Sequence, residues 1–359
     1  MLSQLGIYNY QLEKDPKEIA LLKSLANSEY EYPSCLLCLE NEGYTGSLTK
    51  AARHTHRMLS LNLNNENWMF QFSPYAYYSE HSIIINYKHQ DMHIDMDTLY
   101  AFFDFVDLVP HYFIGSNSDI PIVGGSILNH DHFQAGSYIF PIEKAKVKNS
   151  INKDNVVVEY LYWPISTLRL NGTKNNILKL AEKLINKWYS FSYPELDIIS
   201  ATNNIRHNGI TPVLRKISQD NYQLYLMLRN NRTNHIYPDG IFHPHQELHH
   251  IKKENIGLIE AMGLAILPGR LEYELRLMND FLSLNNLNQA LERLEQDHTM
   301  HKHREWLKYL YLSYKNFDND NYNLLYDEVS NKFCQVLEHS GVFKHDKSGD
   351  EALENFLNS

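Results

Sequence analysis

The segment GGSILNHDHFQAG, residues 124–136, sets His130, His132 and Gln134 at every second position, behind Gly-Gly-Ser and ahead of Ala-Gly. In an extended chain successive side chains alternate faces, so these three nitrogen-bearing groups share one surface while Asp131 and Phe133 turn to the other. A neutral imidazole is a competent nucleophile toward phosphorus, and its ordinary pKa of about 6.5 leaves it mostly neutral near pH 7. Gly124 and Gly125 remove side chains just upstream and Ser126 adds a hydroxyl, and a bare, donor-rich backbone suits phosphate. An isolated His-x-His pair is as often a buried structural pair; the flanking Gly-Gly-Ser and Gln-Ala-Gly favour chemistry here.

Cys35 and Cys38 form a Cys-x-x-Cys knuckle whose two thiolates can face one ion. A redox pair and accidental spacing are the alternatives, although no thioredoxin-like βαβ pattern surrounds the motif. With Cys334 the count is three, which fits a reducing cytoplasm better than a disulfide framework. A second His-x-His pair, His243 and His245, lies in FHPHQELHH, and LRNNRT carries Arg229 and Arg232. A guanidinium suits phosphate because it offers two parallel donors. His54 and His56, in RHTHR, are spare donors with no assigned role.

These residues need elements to position them. WMFQF (68–72) and HSIIINY (81–87) read as a strand pair around SPYAYYSE, and DTLYAFFDFVDLV (97–109) as a helix opened by Asp97 and closed by Pro110. IPIVGGS reads as strand, resumed at HDHFQAGSYIF. The charged stretch 143–155 reads as a surface connection between two halves, 1–143 and 155–340. Beyond it, VVVEYLYWPI reads as strand, 174–191 as helix, and ITPVLRKI with YQLYLMLRNN as a further strand pair. The remainder is mainly helical, ending in a loosely held tail, 341–359. The pattern predicts an α+β fold, antiparallel sheets with helices packed outside, and shows no solenoid repeat.

Composition sets the frame. With 359 residues, 43% of them hydrophobic and 21% charged, the chain can bury a sizeable core. A net charge of -10 argues against a grip on nucleic acid, which works through Lys and Arg on phosphates. No apolar run is long enough to span a membrane, and the first residues lack the basic flank and apolar core of a signal peptide, so a cytoplasmic protein is expected.

GGSILNHDHFQAG resembles the active-site segment of galactose-1-phosphate uridylyltransferases, in particular the bacterial type 2 branch of the histidine-triad superfamily. The likeness extends through CLLCLENEGYTG, FQFSPYAYYSEHSIIINYKH, FVDLVPHYFIGSNSDIPIVGGS, LRNNRT and FHPHQELHHIKKENIGLIEAMGLAILPGRL, most of residues 30–275. It implies a histidine-triad-like fold, a homodimer and a ping-pong reaction. In that reaction His132 attacks the α-phosphorus of UDP-glucose, glucose-1-phosphate leaves, and galactose-1-phosphate takes the uridylyl group to give UDP-galactose.

The same resemblance implies that Gln134 donates its amide N–H to a phosphoryl oxygen. Hydrolytic relatives carry a third histidine at that position, whereas a glutamine amide cannot titrate. His89 and His130 join Cys35 and Cys38 as a four-ligand set suited to structural zinc. Ser73 and Tyr75 fall in the nucleotide pocket, and Asn117, Gly125 and Ser126 in the phosphate loop, with Ser126 one residue further from His130 than in the better-known branch. From guanidinium chemistry Arg229 and Arg232 are candidates to clamp the sugar phosphate, with solvated arginines at a strand end as the alternative, and Glu260 is a candidate to face the hexose. His243 and His245 resemble a motif that binds a further metal in some members, and a polar pair of loop histidines is the alternative. Within the superfamily, a nucleotide phosphorylase or hydrolase is the rival reading, and a shortened nucleotide-binding protein without turnover is another. Members of the branch usually carry a considerable segment ahead of the Cys-x-x-Cys region, whereas 34 residues precede Cys35, so a truncated or divergent member is expected.

Overall fold

The computed structural model describes residues 35–46, 52–125 and 127–358. They divide into two compact units, neither of which is one continuous stretch.

The first unit takes the described residues up to His93 together with Asp97–Ile114 and Ile127–Tyr138. Its strands are β1 (Leu59–Leu63), β2 (Glu66–Phe72), β3 (Ser82–Asn86), β4 (Phe113–Gly115) and β5 (His132–Gly136), in the order β1-β2-β3-β5-β4. Asn64 and Asn65 both adopt positive φ, the conformation a two-residue hairpin needs between β1 and β2. Helix α1 (Met96–Leu108) buries Leu99, Phe102, Phe103, Phe105 and Val106. It begins one residue before the expected Asp97, which stays in the first turn, where a carboxylate complements the helix dipole. Antiparallel pairing of β3 with β5 sets Ile83 opposite Gln134 and Ile85 opposite His132.

The second unit comprises Ile94–Met96, Gly115–Ser126 and the chain from Ile139 onward. Strands β6 (Val147–Lys153), β7 (Val156–Leu161) and β8 (Thr167–Gly172) precede helix α2 (Lys174–Ser190). A small hairpin, β9 (Ala201–Thr202) with β10 (Ile205–Arg206), leads to the long strands β11 (Asn208–Lys216) and β12 (Tyr222–Asn230). The antiparallel order is β11-β12-β8-β7-β6. Helices α3 (Leu258–Ala261), α4 (Arg270–Leu282), α5 (Leu287–Glu295), α6 (Arg304–Ser313), α7 (Tyr322–Ser340) and α8 (Lys347–Asn358) follow. Leu271, Leu275 and Met278 of α4 join Trp306, Leu307, Leu310, Leu325 and Val329 in one apolar cluster. Antiparallel strands followed by grouped helices make this the expected α+β class.

Three local expectations change. The charged stretch 143–155 is not merely a connection: it contains β6, an exposed strand at the end of the order, where lysines and polar residues discourage further pairing. Residues 120–125 are not strand: 120–124 are a series of bends and Gly125 is irregular. The presumed loose tail is α8, whose Ala352, Leu353 and Phe356 are buried at helical spacing. Phe356 lies edge-on to Trp188, ring centroids 5.6 Å apart. The short apolar stripe among acidic residues hid a docked helix.

Candidate active site and metal centre

Strand β5 begins at His132, and its alternation is visible in the packing. Phe133 is 1% exposed, stacked on Trp68 at 4.5 Å and edge-on to Phe102 of α1 at 4.9 Å. His132 and Gln134 therefore take the opposite face of the strand. His132 is buried, 7% exposed, and its Nδ1 lies 2.8 Å from the carbonyl oxygen of His130. A carbonyl only accepts, so Nδ1 carries the proton and Nε2 keeps its lone pair. Burial lowers the His132 pKa, partly offset by the bond to that carbonyl, so the ring is neutral at physiological pH. A buried neutral imidazole with a bare Nε2 is the form a nucleophile requires.

His130 precedes the strand, in a bend, and its orientation rests on other contacts. Its Nε2–H donates to the Asn86 carbonyl at 2.9 Å, leaving Nδ1 toward the cysteines. Nδ1 is 3.4 Å from Cys35 Sγ and 3.7 Å from Cys38 Sγ, while Cys38 Sγ is 3.1 Å from His89 Nδ1. The four ligand atoms all lie within 4.8 Å of one another. A tetrahedral zinc with Zn–S of about 2.3 Å and Zn–N of about 2.05 Å has S···N edges of about 3.6 Å, so these separations fit the ion. Fixing a ligand histidine through its second nitrogen to a carbonyl is the usual orientation at such centres. Asn41 Nδ2 donates to the carbonyls of Cys35 (2.9 Å) and Cys38 (3.0 Å), tying the knuckle together.

Also in this unit, Ser73 is buried in a turn, its hydroxyl accepting from the Tyr75 N–H at 3.3 Å. Tyr75 is 62% exposed and stacks on Tyr77 at 5.6 Å and 8°, an open aromatic platform. The expected strand pair did not anticipate His81, which lies just ahead of β3 with its ring buried beside Tyr78.

The second unit carries the remaining expected residues. Asn117 is buried and its Oδ1 accepts the Leu258 N–H at 2.7 Å. A Cβ at Gly125 would stand 2.5 Å from Asn117 Nδ2, and one at Gly124 2.2 Å from the Ser118 carbonyl. Both glycines are thus required by the packing of residues 117–118. Ser126 lies outside the described residues. Glu260 pairs with Lys252 at 3.0 Å. Arg229 is 1% exposed; Nη2 donates to the Ile256 carbonyl at 2.9 Å, and burial lowers its pKa to about 10. Arg232 pairs with Asp197 at 2.7 Å. His243 and His245 do not join in one ligand group: His245 instead meets Glu247 and His339, its ring stacked between Tyr237 and His339. His339 is 94 residues away along the chain, and no local spacing could have announced it.

Family models agree with the geometry. Residues 105–304 match the C-terminal domain of galactose-1-phosphate uridyl transferase, and residues 8–91 its N-terminal domain. A galactose-1-phosphate uridylyltransferase of Clostridium acetobutylicum is 46% identical over 351 residues, covering 96% of this chain and 69% of its own length. One of Clostridium perfringens is 48% identical over 97% of this chain and 69% of its own. A third, the galactose-1-phosphate uridylyltransferase 1 of Streptococcus pneumoniae, is 44% identical over 97% of this chain and 69% of its own. No solved structure matches.

Proposed function

The chain belongs to the galactose-1-phosphate uridyl transferase family, and from that premise we propose that it exchanges UMP between UDP-glucose and galactose-1-phosphate through a uridylyl-His132 intermediate. His132 Nε2 donates its lone pair to the α-phosphorus as the bond from that phosphorus to the bridging oxygen breaks, and glucose-1-phosphate leaves with the electron pair. A phosphate oxygen of galactose-1-phosphate then attacks the same phosphorus, the P–N bond breaks, and UDP-galactose departs. The observation that carries this reading is the 2.8 Å bond from His132 Nδ1 to the His130 carbonyl. It aims a proton-free Nε2, and it steadies the positive charge the ring acquires once phosphorus is attached.

Gln134 acts as the donor to the phosphoryl oxygen as charge builds there, and being untitratable it cannot activate water. Cys35, Cys38, His89 and His130 would hold a zinc ion, whose chemistry is structural: two thiolates balance its charge and no open position remains for substrate. Tyr75 offers its face to the uracil, with Ser73 shaping the turn. Arg229, Arg232 and Glu260 are the groups we assign to the hexose phosphate. Among the described residues no helix is long and apolar enough to cross a membrane. A cytoplasmic homodimer is the setting we propose.

The test is incubation with UDP-glucose labelled at the α-phosphorus. Protein-bound label that is acid-labile and base-stable is expected in the wild type and absent in His132→Asn. Label persisting in that variant would refute the nucleophile.

A further inference from the structure

We propose that His81 is a positioning residue for Gln134, its Nε2–H fixing the side-chain amide so that the NH2 group, not the oxygen, is presented beside His132. The inference rests on the uridylyl-transfer reading above.

The strand register brings the two together. Ser82 pairs with Ala135 and Ile83 with Gln134, so His81 stands diagonal to Gln134, on the same face and opposite Gly136. Gly136 must lack a side chain there: a Cβ would lie 2.7 Å from the Tyr78 ring, which fills the space and tilts against His81 at 4.3 Å. The His81 backbone is tied at both ends, its N–H donating to Tyr78 at 3.2 Å and its carbonyl accepting from Ser73 at 2.8 Å. The ring is held accordingly.

Its tautomer is legible. The Tyr77 N–H donates to His81 Nδ1 at 3.4 Å, so the proton sits on Nε2. Its diagonal neighbour on that face is the Gln134 side chain, whose interaction raises the His81 pKa against the effect of burial. His81 Nε2 and Gln134 Oε1 are both buried and neither makes a hydrogen bond among the described residues, so each is the complement the other lacks. An imidazole N–H facing an amide oxygen is complementary; with the amide turned over, two donors would face each other. Burial pushes the His81 pKa down to about 4, which keeps Nδ1 an acceptor across the neutral range. An amide that can be turned either way is set in one direction once that bond closes, and a phosphoryl oxygen then meets N–H rather than a lone pair.

The experiment is steady-state exchange between UDP-glucose and galactose-1-phosphate by the full chain. His81→Phe keeps a ring and removes the donor. Its kcat is expected to fall about tenfold or more, part of the roughly 10²–10³ that such a phosphoryl donor contributes, with KM nearly unchanged. In a Gln134→Leu background the same substitution is expected to change nothing further. His81→Gln restores an N–H near the Nε2 position and should recover most of the rate. His81→Glu, nearly identical in shape, presents an acceptor, draws the amide NH2 inward and should stay at least about tenfold slower than His81→Gln. Equal rates for the Gln and Glu variants, or an undiminished His81→Phe effect in the Gln134→Leu background, would overturn the assignment. The Gln/Glu comparison decides the matter even if His81→Phe fails to fold. If wild type performs no exchange, the transfer reading itself fails; if Gln134→Leu is impaired while the His81 variants are not, only the His81 inference does.

Discussion

Replacing Cys38 by serine puts the metal centre to its sharpest test. Cys38 Sγ lies 3.1 Å from His89 Nδ1 and 3.7 Å from His130 Nδ1, so it stands between both imidazoles, and a serine hydroxyl is a poor zinc ligand. A complete structural zinc site contributes roughly 10–16 kcal/mol of apparent binding free energy. Shared among four ligands, one thiolate accounts for about 2.5–4 kcal/mol, or about two to three orders of magnitude in Kd. Mass spectrometry of metal content should find about one zinc per wild-type chain. Competition against a chromophoric chelator should find the variant's affinity weaker by about 10²–10³. The reasoning is refuted if wild type carries no metal yet turns over fully, or if Cys38→Ser keeps zinc at wild-type affinity.

Two stability predictions concern the second unit. Phe356→Ala removes a fully buried ring packed on Trp188 and, at 5.2 Å, on Phe191, and should cost about 3–5 kcal/mol in urea unfolding; an unchanged midpoint would mean that α8 is not docked. Glu274 gathers Arg270, Lys302 and His303 around one buried carboxylate. Burial alone would raise its pKa, but the bonds from His303 and Lys302 and the charge of Arg270 bring it down to about 2. A depressed folded pKa means the contribution is fully present above about pH 4.5 and fades as pH falls toward about 2. The stability gap between wild type and Glu274→Gln should therefore shrink across that window, by at most about 3 kcal/mol. A gap independent of pH would show that the ion network contributes nothing.

The strand alternation at His132, Phe133 and Gln134 was readable because one face is aromatic core and the other polar, which leaves a single register. The α1 helix was readable for a similar reason, a run of Phe and Val between an acidic start and a proline. Residues 120–125 were misread because an apolar run followed by glycines is shared by strands and by tightly packed bends. What distinguishes them is a contact from outside the run, the Ser118 carbonyl against Gly124. His81, Asn41, Glu247 and His339 were missed for one physical cause. Each matters through a partner distant in sequence or through a backbone atom, and neither leaves a local spacing. The metal set needed the resemblance as well: Cys-x-x-Cys announced half of it, but His89 and His130 come from separate loops.

On the proposed reading His130 would join the metal centre to the nucleophile through its two ends. Its ring is directed at the thiols while its carbonyl accepts the His132 Nδ1 proton, and the neighbouring backbone is pinned by Asn86 N–H to the Asp131 carbonyl at 2.9 Å and Asp131 N–H to Gln90 at 2.8 Å. Removing the ion frees the ring but leaves those backbone bonds in place. What weakens is the carbonyl's hold on one tautomer. A neutral hydrogen bond is worth about 0.5–1.5 kcal/mol net, a bias of roughly two- to twelvefold toward the proton on Nδ1. When that bias is lost the proton spends more time on Nε2, where it blocks attack on phosphorus. Stripping the metal should therefore lower kcat by about tenfold at most through this route, with KM little altered, whereas removing the His132 imidazole abolishes transfer. A metal-free enzyme losing several orders of magnitude in kcat while still folded would mean that the ion touches the reacting phosphate, and the closed four-ligand centre would be wrong.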